Sequence, residues 1–129
     1  MLEYTYEYNR AFMPSAPFVD VVISDMKMTD SVKTSAQLDS GADATAVPTS
    51  ILQTIKAKKV GRQRMRGMSG RPEIVNIYEV RITLAREVIP VDVVGLDHLQ
   101  EAVIGRDILN RFTITLDGLS LTTIIPVYD

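Results

Sequence analysis

Short runs of β-branched residues, most of them cut by a turn signal before reaching ordinary helix length, constrain this chain most. Residues 18–24 and 88–94 are rich in Val and Ile, which pack well on a pleated surface and lose rotamer freedom in a helix. Further extended segments fall at 34–38, 45–47, 60–65 and 73–84, with the polar residues 25–33 as a hairpin connection, residues 85–87 as a turn and 95–100 as a loop. Gly67-Met68-Ser69-Gly70 separates 60–65 from 73–84 and reads as the tip of a mobile hairpin. Asp117-Gly118 stands between 112–116 and 120–125 and is a second hairpin signal. Only two stretches read as helices. One runs to Ile55 with Thr49 or Ser50 as its cap, and Pro48 closes the strand before it. The other covers 106–110. Many short strands, frequent turns and two brief helices predict a mainly β domain. At the N-terminus, Tyr4, Tyr6 and Tyr8 alternate with polar residues, the period of a strand with one aromatic face. Pro14 and Pro17 bracket a linker. Residues 1–16 therefore read as an N-terminal extension, either a core-edge strand or a dimer strand, and residues 17–129 as one folded domain.

Composition narrows the class. The 129 residues are 46% hydrophobic and 23% charged, ordinary for a soluble globular domain with a modest core. A net charge of −2 makes no electrostatic case for nucleic acid or an anionic membrane. No Cys is present, which excludes disulfides, thiolate chemistry and Cys-metal sites and fits a reducing compartment. The opening residues lack a basic start and an apolar run, and no segment approaches the length of a membrane span. A cytoplasmic protein is the expectation.

Chemistry concentrates in Leu38-Asp39-Ser40-Gly41-Ala42-Asp43. Asp39 supplies a carboxylate at the end of a buried strand. The Ser40 hydroxyl can bond backbone and lock the turn. Gly41 permits a close approach that a Cβ would block, and Ala42 leaves room beside the carboxylate. Alone, Asp-Ser-Gly is also ordinary turn chemistry. Near the C-terminus lies Val103-Ile104-Gly105-Arg106-Asp107-Ile108-Leu109: two apolar residues, a Gly, then an Arg opening a short amphipathic helix. The two stretches, in this order and at this spacing, resemble the signatures of the bacterial type of retropepsin-like aspartic peptidase, and the likeness runs from Phe18 to Ile125. The resemblance implies a retropepsin-like acid protease fold: a closed, barrel-like single lobe with a flap hairpin and one or two short helices, assembled as a two-fold homodimer.

Aspartic proteolysis needs two facing carboxylates that share a proton, one acting as base toward water and the other donating to the scissile carbonyl. This chain has one Asp-Ser-Gly. Its nearest rival, Asp117-Gly118, lacks the hydroxyl residue and sits in a hairpin turn. A second Asp39 must then come from a second copy across a two-fold axis. The resemblance assigns further roles. Ser40 would bond across that axis, and Gly41 would offer its carbonyl to the substrate backbone. Asp43 would pair with Arg106 to brace the loop, and Gly105 would let the helix pack behind it. Gly67, Met68, Ser69 and Gly70 would form the flap tip over an extended peptide, with Ala44, Met68 and Val103 as pocket walls. This tip carries Arg66 and Arg71 where retroviral flaps are richer in Gly and Ile. Glu101 departs from the apolar wall residue common in the family. The C-terminal strand 121–125 would enter the inter-subunit sheet. No cofactor and no metal is expected, since the carboxylates show no ligand spacing and His98 is the one His. An endopeptidase acting on unfolded polypeptide is the leading expectation. A dimeric, catalytically silent binding module on the same fold is the alternative.

Overall fold

In a computed structural model that describes residues 2–66 and 70–128, the Val- and Ile-rich runs become strands of one closed sheet. The elements are β1 (Leu2–Glu7), β2 (Phe18–Ser24), β3 (Ser31–Leu38), β4 (Ala46–Pro48), α1 (Thr49–Thr54), β5 (Lys58–Arg66), β6 (Pro72–Leu84), β7 (Glu87–Leu96), β8 (Ala102–Ile104), α2 (Arg106–Leu109), β9 (Thr115–Asp117) and β10 (Thr122–Val127). β2 pairs antiparallel with β3, and β3 runs parallel to β8. β8 meets β4, which runs parallel to β7. β7 pairs with β6, and the far end of β6 returns to β2 from Val21↔Leu84 to Ser24↔Arg81. That last pairing closes a six-stranded barrel and removes the open edges of a sheet. β5 stays outside the ring. It pairs with β6 from Lys58↔Glu79 to Arg66↔Pro72, with Val60 bulged out where the register shifts.

The alternation along the strands fills the barrel. Val19, Val21 and Ile23 of β2 meet Val80, Ile82 and Leu84 of β6, and Ile104 and Ile108 join from the β8–α2 corner. Each is nearly or wholly removed from water, at about 1.5–3 kcal/mol per side chain relative to exposure. α1 has six residues, too few to be stable alone. It is held by Leu52 on its buried face and by Ile55 at its C-cap.

β1 is paired with this chain's own β10, from Leu2↔Val127 to Glu7↔Thr122. β9 takes the other side of β10 from Thr122↔Asp117 to Ile124↔Thr115. Tyr6 packs against the barrel core, and its ring stacks on Tyr4 at 6.4 Å. An Asn9–Ala16 bridge and the Phe12 ring against Phe18 also tie the first 16 residues to the barrel.

Several local expectations shift. β3 starts at Ser31, because Asp25 accepts the Asp30 N–H at 2.9 Å and closes a short turn there. α1 begins after Pro48 without a side-chain cap, and Thr49 and Ser50 lie inside it. Residues 102–104 form a strand, which three residues are too few to reveal by periodicity. Arg111 and Phe112 continue the turn of α2 through bonds to Ile108 and Leu109, so β9 begins only at Thr115. Its connection to β10 spans residues 118–121 rather than a two-residue Asp-Gly turn. The Asp117 carboxyl accepts the Ser120 N–H at 3.1 Å, and Leu121 has a φ of 55°. No helix among the described residues is long and apolar enough to cross a membrane.

Candidate active site

β3 carries the chain through the barrel to the buried Leu38, and the next residue leaves the core. The Asp39 N–H bonds the Ile104 carbonyl at 2.9 Å, which anchors the loop to β8 at the moment its side chain reaches solvent. The Asp39 carboxylate accepts the Gly41 N–H at 2.9 Å, and the Asp39 carbonyl accepts the Ala42 N–H at 3.2 Å. A Cβ at 41 would stand 3.1 Å from Asp39 Oδ1, a tight contact to which the carboxylate would have to yield by a few tenths of an ångström.

α2 braces the loop from behind. The Arg106 N–H bonds the Ala42 carbonyl at 2.9 Å. The Arg106 guanidinium donates from Nη1 to the Ser40 carbonyl at 2.6 Å and from Nη2 to the Asp43 carboxylate. Gly105 packs so tightly that a Cβ would lie 2.7 Å from the Ala44 carbonyl carbon and 2.9 Å from the Ala42 oxygen. A second clamp was not read from the sequence. Asp107 accepts the Thr45 N–H at 3.0 Å and the Thr45 hydroxyl at 2.7 Å, and that hydroxyl accepts the Gly105 N–H at 3.1 Å. Thr45 is fully buried, so the network satisfies groups that would otherwise be costly. An acid recurs beside each motif, at 43 and 107, but nothing in the sequence ties the second to Thr45.

A cleft of about 400 Å³ opens between this loop and the β5–β6 hairpin. Gly41, Ala42, Asp43 and Ala44 line one wall, and Gln63, Arg64, Met65, Val75 and Val94 the other. Alternation along β5 explains the far wall. Gln63 lies opposite the buried Val75, so Gln63 and Met65 share the inward face. Gly70 is exposed with a φ of 78°, whereas Gly67, Met68 and Ser69 lie outside the described residues. Val103 sits in β8 opposite Gln37 and Ala46 and is not part of this lining. On the other side of Ser40 an apolar hollow of about 260 Å³ is walled by Leu38, Leu109, Phe112, Ile114 and Leu116. Among the described residues no group of three or more His, Cys, Asp or Glu is placed to hold a metal.

The fold has counterparts among solved structures. The retropepsin-like aspartic protease from Rickettsia conorii superposes with a TM-score of 0.66 over 96% of this chain and 90% of its own, at 15% identity. The EIAV protease, solved with an inhibitor, gives 0.60 over 74% of this chain and 86% of its own, at 23% identity. The simian foamy virus protease gives 0.55 over 72% and 91%, at 15% identity. No family model matches the chain. No curated protein matches it. The fold is therefore the retropepsin-like one, a closed barrel with two short helices.

Proposed function

We propose that this protein is a homodimeric aspartic endopeptidase of the retropepsin kind, cutting extended polypeptides. One observation carries the reading: within this fold, the Asp-Ser-Gly of the sequence presents its exposed carboxylate on a doubly braced loop beside a cleft. Two copies of Asp39, meeting about a two-fold axis, would share one proton. The ionised carboxylate takes a proton from water as it attacks, while the protonated one hydrogen-bonds the scissile carbonyl oxygen. Like charges so close cannot both ionise, so the two protons leave in separate steps that belong to the pair. Ser40 would bond across the axis, Gly41 and the hairpin would hold the peptide backbone, and closing the tip over the substrate would exclude water.

The hollow beside Ser40 supports the dimer. Leu116 at its rim is more than half exposed, and a second copy would cover it. β10 is already paired on both sides along Thr122–Ile124. An inter-subunit sheet would therefore extend from residues 125–127 or from the outer edge of β9. A bacterial, cytoplasmic setting belongs to the same proposal, and the Rickettsia likeness supports its bacterial part.

Peptide profiling tests this directly. A proteome-derived peptide mixture should be cut most at acidic to mildly acidic pH, with indifference to chelators and to serine or cysteine reagents. Asp39→Asn should abolish cleavage and leave the dimer intact. Cutting by the pure variant defeats the mechanism, and an intact dimer that cuts nothing at any pH is the silent binding module instead.

A further inference from the structure

The hairpin over the cleft is charged far out of proportion to the molecule. Residues 56–71 hold seven of the 14 Lys and Arg and none of the 16 Asp and Glu, so the rest of the chain carries seven cations against sixteen anions. Within β5, Arg62, Arg64 and Arg66 recur at every second residue and share one face. Their cross-strand partners on β6 are Asn76, Ile74 and Pro72, all neutral. Lys58, by contrast, faces Glu79. All three arginines are exposed, and none is in an ion pair among the described residues. Like charges in a row repel, and no acid stands directly opposite any of the three on β6. The alternation that turns Gln63 and Met65 inward puts this row on the outer face of the hairpin, with Arg64 still bordering the cleft. On the opposite wall the Asp43 carboxylate is already engaged by Arg106, which leaves Arg64 as the unpaired charge of that lining.

We propose that this arginine row selects acidic polypeptide segments, drawing them by charge toward the cleft that the hairpin covers. The inference rests on the peptidase reading above and names the substrate class for it. A positive ridge on an otherwise negative body focuses its field where the ridge lies, and such steering raises capture more than it changes chemistry. A nucleic acid is the poorer fit. The row offers no aromatic ring for base stacking, and a polyphosphate running beyond the hairpin would meet the acidic remainder of the surface.

Cleavage of a proteome-derived peptide mixture at low and high salt reads this out. Peptides with Glu or Asp flanking the cut should have a kcat/KM about tenfold above charge-neutral ones at low salt, and that ratio should collapse toward unity at high salt. Arg62→Gln/Arg64→Gln/Arg66→Gln should flatten the ratio at low salt, carried in KM rather than kcat. Binding of a fluorescent Glu-rich peptide to the Asp39→Asn protein should follow the same pattern without turnover. Cleavage with no charge preference, or a preference that survives the triple substitution, overturns the inference and leaves the peptidase reading standing. Tight, salt-sensitive binding of single-stranded DNA that the triple substitution abolishes, alongside charge-blind cleavage, also overturns it. Failure to cut any peptide overturns both.

Discussion

At the scale of single residues, the loop depends on atoms that are missing as much as on atoms present. Gly105→Ala would place a methyl group 2.7 Å from the Ala44 backbone, and backbone cannot swing aside as a side chain can. Overpacking of this kind costs about 1–3 kcal/mol, so urea denaturation should show that loss. Thr45→Val keeps the volume but deprives Asp107 of a donor and the Gly105 N–H of its acceptor. Leaving buried polar groups unpaired costs about 1–3 kcal/mol, and the same denaturation series checks it. Asp43→Asn should differ from both. Its ion pair with Arg106 is largely exposed, at 43% and 90% side-chain accessibility, so stability should move by less than about 1 kcal/mol. Asp39, Gly41, Gly105 and Arg106 could be read from the sequence because each sits in a short motif whose residue types have few other uses together. Thr45 and Asp107 could not. A Thr entering a strand and an Asp in a first helical turn each have a local explanation, and only the fold brings residues 62 positions apart into contact.

At the scale of elements, β1 offers a pH test. Burial, then the nearby Asp20 carboxylate, raises the Tyr6 phenol above its ordinary 10.0. A raised value in the folded state means the unfolded chain ionises first. The contribution is complete below about pH 10 and is lost as pH climbs through the folded value. Wild type should therefore lose denaturant resistance just above pH 10 more steeply than Tyr6→Phe, and tyrosinate absorbance of the wild type should show a late-titrating component that Tyr6→Phe lacks. Equal losses would mean that β1 does not hold Tyr6 against the core. The long elements were legible in the sequence: β2, β6 and β7 carry enough Val and Ile to show themselves. β8 was not, since its three residues form a strand only because β3 and β4 present hydrogen-bonding edges on either side.

At the scale of the whole molecule, assembly and activity are one question. If each site takes one Asp39 from each of two copies, specific activity should fall on dilution as dimers dissociate. Leu116→Glu, which puts a charge at the rim of the apolar hollow beside Ser40, should raise the protein concentration needed for half-maximal activity and shift sedimentation toward the monomer. A monomer with undiminished cleavage would remove the shared-carboxylate account.

From the sequence alone came the β class, the order of the strands that are long enough to be periodic, and the two motifs that mark the loop and its brace. Those are local matters: side-chain branching, turn chemistry and the spacing of a few residues decide them. The closure of the barrel through β2 and β6, the docking of β1 on β10, the Thr45–Asp107 clamp and the cleft beneath the hairpin were settled only by tertiary structure. Each joins segments far apart in the chain, and hydrogen-bond pairing between distant segments leaves no periodic trace in either one.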